Sequence, residues 1–377
     1  MRGEPTKKIA VAISLVLATM ATVTGRHVEG KKPSHPASPL PSTLPYSSFL
    51  SPEVVQRLRQ STQQSEEEEN GHETCGQNDS SKDPIQAKAI QLCEAKLFYQ
   101  SQMYQNLRNQ YGVSIVTEQL GGIATEIFTP LGGVAEQNKD RVLINLHAGA
   151  FMSGSRTASH IESIPISAVG RIKIVSVDYR MTPQFYFPAA SEDVEKVYVQ
   201  LLQKYQPRNI GIFGCSAGGL LTAQSVAWLQ KRNLPMPGAV GMFCAGGSYY
   251  TEGDSGHFAA MWEKSPPPRT IRDDPAFEYF KKTELSNPLA YPVRSKEVMS
   301  RFPPSLLISS TRDFAMSSVV QTHSVLIQQG VPAELYVWEG LPHAFFYDPE
   351  LPQSREMYQV TARFFERYLG KPLAEIN

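Results

Sequence analysis

The feature that most constrains this chain is an alternation of short apolar runs with helical stretches. The runs are "VLINL" (142–146), "IKIVSV" (172–177), "NIGIF" (209–213), "AVGMFC" (239–244), "SLLISS" (305–310) and "AELYVW" (333–338). Between or after them, residues of about 190–204, 217–231, 316–329 and 353–369 have helical spacing. Short apolar strands that alternate with helices imply a mostly parallel central sheet covered by helices on both faces. Upstream, "VSIVTEQLGGIATEIFTP" reads as two strands around Gly121-Gly122, after a helical stretch in "QAKAIQLCEAKLFYQSQMYQ". Residues 246 to about 300 break the rhythm with Gly, Pro and aromatic residues and no strand. A long insertion between sheet strands is often functional. We read 246–300, together with 86–112, as elements of a small helical cap on a domain spanning 86–377.

The first 25 residues have a different character. Arg2, Lys7 and Lys8 precede the uncharged, mostly apolar run Ile9 to Val23. That pattern fits a signal peptide and falls short of the roughly 20 residues a spanning helix prefers. The chain is therefore expected to be exported, to the periplasm or outside the cell, with an uncleaved N-terminal anchor as the rival and membrane contact only in that case. Residues 26–85 combine a Pro- and Ser-rich stretch with an acidic run, which predicts a disordered, low-complexity tail. The 36 basic residues balance the 36 acidic ones, so charge makes no case for nucleic acid or an anionic membrane surface.

Export would permit disulfides. Of four cysteines, Cys75 and Cys93 are close in sequence and precede the core, which makes them the plausible pair. Cys215 and Cys244 read as small buried residues. No Cys/His spacing resembles a zinc site, and neither metal nor organic cofactor is expected.

"GCSAGG" (214–219) follows the run "NIGIF" and precedes a helical stretch. In a strand-turn-helix context, Gly214 and Gly218 let the backbone crowd while the Ser216 hydroxyl projects from the strand end. The Ala217 N–H, opening the helix, points to where an oxyanion would form. A nucleophilic serine needs a base. His257, His323 and His343 follow it, and His343 lies in a loop past the last strand, where catalytic groups of parallel sheets gather. For the acid, Asp313 ends the strand before the histidine strand, with helix capping as its alternative role and Asp348, Asp273 and Asp274 as rivals. The small-residue loop His147-Ala148-Gly149-Ala150 leaves another strand and can bring backbone N–H groups close to a ligand. Phe151, Met152 and "QFYF" (184–187) suggest an apolar pocket, although strand packing explains them equally well.

These motifs together resemble the hormone-sensitive-lipase branch of the α/β-hydrolase fold, from about residue 115 to 369. "LHAGAFMSGS" is similar to that family's His-Gly-Gly-Gly stretch, and "VSVDYRMTPQFYFPAASEDV" to its Asp-Tyr-Arg…Phe-Pro-Ala…Asp run. "GCSAGG" resembles the nucleophile elbow, "STRDFAMSS" the acid loop and "VWEGLPHAFF" the histidine loop. The resemblance implies Ser216 as nucleophile, Asp313 as acid and His343 as base. It implies oxyanion donors at the N–H groups of Gly149, Ala150 and Ala217. Two departures are alanines at 148 and 150 where the family usually has glycine; the hole is expected to survive if φ there is negative. A third is Cys215, where the family often has an acidic residue. The implied reaction is hydrolysis of short-to-medium acyl esters or lactones through an acyl-enzyme. The same triad would fit an amidase or deacetylase, and the fold alone would fit a non-catalytic small-molecule binder. A trypsin-like reading of "GDSG" (253–256) needs an all-β setting that the alternation denies. The oligomeric state is not legible.

Overall fold

A computed structural model describes residues 44–71, 75, 84–263 and 270–371. The signal-like segment lies outside the described residues. Eight strands form one sheet: β1 (Val113–Leu120), β2 (Ile123–Pro130), β3 (Val142–Leu146), β4 (Ile174–Val177), β5 (Ile210–Cys215), β6 (Ala239–Phe243), β7 (Ser305–Arg312) and β8 (Ala333–Pro342). Their order is β1-β2-β4-β3-β5-β6-β7-β8. The β1–β2 and β2–β4 pairings are antiparallel, and β4, β3, β5, β6, β7 and β8 run parallel. The two-strand reading around Gly121-Gly122 and the parallel core both match this topology.

Side chains on a strand point alternately to opposite faces. Here each face feeds its own core. Val142, Ile144 and Leu146 of β3 join Ile210 and Ile212 of β5 and Val240 and Met242 of β6 on one side. They meet helices α5 (Ala189–Leu202) and α6 (Ala217–Lys231) through residues such as Val194, Val197, Leu220 and Leu221. Leu143, Phe213 and Phe243 point the other way, onto helices α4 (Ala158–Gly170) and α10 (Pro352–Tyr368) through Ile161, Ile164, Phe364 and Phe365. Helix α9 (Met316–Gln328) lies between β7 and β8.

Helix α4 is absent from the helical stretches read off the sequence. It carries Pro165 in its interior and is buried from Ala158 to Ser167, so it has little amphipathic contrast to detect.

The disordered-tail reading of 26–85 needs correction over part of its length. Residues 44–71 include helix α1 (Pro52–Gly71), docked on the far end of the chain. Val54 is 3% exposed, and Arg57 pairs with both Asp348 and Glu350. Ser47 donates to Glu339, and the Pro45 carbonyl accepts from Arg312. Average composition misses this because a few anchors, not a continuous apolar face, hold the segment. Cys75 and Cys93 are disulfide-bonded, tying the chain after α1 to helix α2 (Pro84–Gln100). Helices α2 and α3 (Gln102–Gln110) lie over α4: Tyr99 Oη donates to the Arg156 carbonyl (2.7 Å), and Tyr104 Oη meets His160 Nδ1 (3.1 Å).

The 246–300 insertion contains helices α7 (Ser255–Glu263) and α8 (Lys296–Met299) with short 3-10 turns between them. Tyr279 fastens it to the start of α5, its carbonyl accepting from Phe187 N–H (3.0 Å) and its hydroxyl from Ala190 N–H (2.8 Å). No helix among the described residues is long and apolar enough to cross a membrane.

Phe365 fills the space that Gly211 leaves on β5; a Cβ at 211 would come within 2.7 Å of its ring. Phe365→Ala should therefore cost about 3–5 kcal/mol of stability through the cavity it opens. Urea unfolding should show a lower midpoint with little change in slope.

Candidate active site

The end of β5 is built around one backbone atom. The Leu146 carbonyl of β3 sits so close to the turn that a Cβ on Gly218 would lie 1.7 Å from it, and a Cβ on Gly214 2.2 Å. Only glycine fits at either position. Between them Ser216 adopts φ 55° and ψ −119°, a conformation that non-glycine residues rarely take and that stores strain. Its N–H donates to the Phe243 carbonyl (2.8 Å) at the end of β6. Ser216 occupies the cap position of α6, yet its side chain makes no capping hydrogen bond. The hydroxyl is therefore not committed to the helix.

The end of β6 also reaches the histidine loop. Cys244 follows Phe243, and its Sγ accepts from the Ala344 N–H (3.3 Å). His343 and Ser216 are thus held to adjacent residues of one strand end. His343 Nδ1–H donates to Asp313 Oδ1 (2.6 Å). Asp313 also accepts from Ala315 N–H on Oδ1 (2.8 Å) and from Ser309 Oγ on Oδ2 (2.8 Å). Burial would raise its pKa, but the neighbouring His343 charge and these donors outweigh burial and hold the carboxyl below its ordinary value. The Phe314 ring stacks on the imidazole, centroids 4.1 Å apart. Ser216 and His343 are only 3% and 5% exposed.

The rival residues stand elsewhere. His257 is exposed on α7, and His323 is half-buried on α9. Asp348 is taken by Arg57, and Asp274 accepts from Thr251 (3.4 Å). Asp273 lies in a short 3-10 turn of the insertion. "GDSG" opens α7: Ser255 and Ser317 exchange N–H to Oγ bonds (2.9 Å each), and Ser255 Oγ donates to the Phe314 carbonyl (2.6 Å). Its role is to clamp the insertion onto the acid loop.

The loop after β3 turns through three successive residues of positive φ: Gly149 (119°), Ala150 (54°) and Phe151 (58°). The condition of negative φ set for the hole is not met at Ala150. Alanine occupies the left-handed region at a cost of roughly 1–2 kcal/mol, and its N–H remains. A Cβ at Gly149 would meet the Ser153 carbonyl at 2.2 Å, so the tight turn requires glycine there. Tyr179 braces this loop, its hydroxyl donating to the His147 carbonyl (2.6 Å) and its ring stacking on His147 at 4.2 Å. Burial lowers the pKa of that imidazole and favours its neutral form. The following Arg180 pairs with Asp193 of α5, which accounts for the spacing of the Asp-Tyr-Arg…Asp run. Phe151 is fully buried, stacked on Tyr279 (4.4 Å) with Phe280 at its edge. Met152 is half-buried, and its carbonyl accepts from Gln91 of α2 (2.8 Å).

Cys244, Asp313 and His343 place potential metal ligands within 4.8 Å of one another. Two ligands on one tetrahedral zinc stand roughly 3.3 Å apart. Asp313 and His343 instead bond each other directly at 2.6 Å, so the pair is arranged for a proton and not for an ion.

Residues 143–347, more than half of the chain, match a protein family described as having the α/β-hydrolase fold. The chain belongs to this family. It is 26% identical over 249 residues to an acetyl-hydrolase of Streptomyces hygroscopicus, covering 62% of this chain and 78% of the relative. It is 25% identical over 260 residues to a versiconal hemiacetal acetate esterase of Dothistroma septosporum, covering 64% and 77%. Among solved structures, an esterase superposes with a TM-score of 0.71 at 26% identity, covering 89% of this chain and 99% of that one. An esterase of the bacterial hormone-sensitive lipase family superposes at 0.66 with 22% identity, covering 75% and 92%.

Sequence reasoning missed two groups at this site. Cys244 was read only as a buried strand-end residue, whereas its sulfur joins the histidine loop to β6. Glu162, on the undetected helix α4, is 1% exposed and raised to about 7 by burial, although hydrogen bonds from Tyr347, Ala148, Asn145 and Cys215 pull the other way. An acidic residue within a buried stretch was the available signal.

Two predictions follow from this geometry. Gly218→Ala should destabilise the protein by more than the roughly 1–3 kcal/mol typical of core overpacking, because the obstacle is backbone; thermal melting measures it. Asp313, with its lowered folded-state pKa, contributes stability above the ordinary carboxylate value near 3.9. That contribution is lost as pH falls through the lower folded value. The stability gap between wild type and Asp313→Asn should therefore shrink below about pH 4. A gap that stays constant down to pH 2 would contradict the lowered value.

Proposed function

We propose that this chain hydrolyses esters of short-to-medium acyl groups, with short acyl groups favoured, through a Ser216 acyl-enzyme. That it is a carboxylic ester hydrolase rests on its family and on relatives named as acetyl-hydrolase and esterase. The finer reading rests on one observation. The Asp313–His343 pair and the strained Ser216 turn are held to neighbouring residues of the β6 end.

In this reading His343 Nε2 takes the Ser216 proton as Oγ attacks the ester carbonyl. Asp313 fixes the imidazole tautomer and stabilises the imidazolium. The N–H groups of Gly149, Ala150 and Ala217 receive the oxyanion, each worth about 3 kcal/mol of barrier. The alcohol leaves with the proton from His343, and water, activated by the same base, releases the acid. A lactone presents the same carbonyl to the same groups.

Acyl size is argued from packing. Tyr249 and Tyr250, just past β6, are fully buried, and Tyr250 lies edge-on to the Phe314 ring that covers His343. In this reading these aromatic side chains limit the room beside His343, which favours a short acyl group. Export is supported by the basic and apolar N-terminal pattern and by the Cys75–Cys93 disulfide, a bond that persists in oxidising compartments.

Ser216→Ala should lose on the order of 10⁶-fold in kcat and Asp313→Asn about 10⁴-fold, with both proteins folded. Retention of most activity by Ser216→Ala would refute the nucleophile. Across p-nitrophenyl esters, kcat/KM for acetate or butyrate should exceed that for palmitate at least about tenfold, the scale of a 1.4 kcal/mol difference in fit. A preference for palmitate would refute the short-acyl reading.

A further inference from the structure

Glu162 is a buried carboxylate that accepts hydrogen bonds from three separate parts of the site. Asn145 Nδ2 of β3 donates to Oε2 (2.7 Å), and Ala148 N–H donates to Oε1 (2.9 Å). The Tyr347 hydroxyl, four residues beyond His343, donates to Oε1 as well. The backbone N–H of Cys215, immediately before Ser216, faces the same carboxylate and favours its charged form. Asn145 is itself fixed, its Oδ1 accepting from Ser176 Oγ of β4 (2.8 Å). Glu162 is almost fully buried and forms no ion pair among the described residues, so its burial is not compensated by a cation.

Three of these residues border the reacting groups. Ala148 precedes the two N–H groups proposed for the oxyanion, Cys215 precedes the nucleophile and Tyr347 closes the histidine loop. We propose that Glu162 is a positioning residue, which holds the oxyanion loop and the histidine loop in mutual register beside the nucleophile turn through this single carboxylate. The inference rests on the oxyanion hole proposed above. Its physical basis is that the loop after β3 is strained through three positive-φ residues and would relax without an external tie. A displacement of about 1 Å in such a loop is enough to cost 10²-fold in rate. Because the oxyanion forms only after attack, a loose loop weakens transition-state binding more than substrate binding.

The test is steady-state kinetics on p-nitrophenyl acetate for wild type, Ser216→Ala, Glu162→Gln and Tyr347→Phe. Inhibition by a phenylboronic acid, whose tetrahedral adduct needs the oxyanion donors, is measured on the same proteins. Glu162→Gln has the same shape but places an amide donor against groups that all donate. It should lower kcat roughly 10- to 100-fold with KM changed less than threefold, and weaken boronate inhibition by a similar factor. Tyr347→Phe removes one donor and should fall between it and wild type; it decides on the same criteria if Glu162→Gln does not fold. A folded Glu162→Gln with wild-type kcat and boronate affinity, beside an inactive Ser216→Ala, overturns the positioning role alone. So does a variant whose KM rises while kcat holds. A wild type without serine-dependent turnover overturns the proposed function and the positioning role together.

Discussion

The Leu146 carbonyl, at the end of β3, leaves no room for a side chain on the turn beside it. That one close approach dictates glycine at 214 and 218 and holds β5 tight against β3 where the strand gives way to helix α6. Ser216 is caught between the two glycines at positive φ. The turn cannot relax without breaking the parallel pairing of β3 with β5 or the hydrogen bond from Ser216 to Phe243. The serine is thus oriented by the sheet itself.

The remaining site groups hang from neighbouring strand ends. The end of β6 reaches both the serine turn and the histidine loop, β7 delivers Asp313, and β3 delivers the loop braced by Tyr179. Strain concentrates here: Ala150, Phe151, Ser216, Cys244 and Ala344 all have positive φ. Strained residues persist only where surrounding structure over-determines them. The two cores on either face of the sheet supply that constraint, and polar links complete it. Ser255 and Ser317 clamp the insertion to the acid loop, and Gln91 of α2 reaches the Met152 carbonyl. The 246–300 insertion and α2 are therefore joined to the Asp313 loop and the loop after β3.

Much of the fold was legible because its signal is local. Strand and helix limits followed the apolar runs within a few residues, and the antiparallel pair turned where Gly121-Gly122 stood. Helix α4 escaped because it is buried on nearly every side and contains Pro165, so neither periodicity nor propensity marks it. Helix α1 escaped because its docking depends on Val54, Arg57 and partners almost 300 positions away, which no window of composition includes. Phe151 stacks on Tyr279 with Phe280 at its edge, a contact made by an insertion over a hundred residues downstream and invisible to local pattern.

For the site, the order and spacing of residues determined which side chains stand at strand ends. Ser216, Asp313 and His343 could be named because strand-turn-helix patterns and chain order are properties of the sequence. The tertiary structure decided the rest. It paired Asp313 with His343 and Asp348 with Arg57, and it gave the loop at Ala150 a positive φ. It also brought Glu162 into contact with the loop after β3 and the histidine loop at once. The reason is that local pattern fixes the direction a side chain takes from its own strand or helix. Which donors meet a buried carboxylate is fixed only when separate elements pack together.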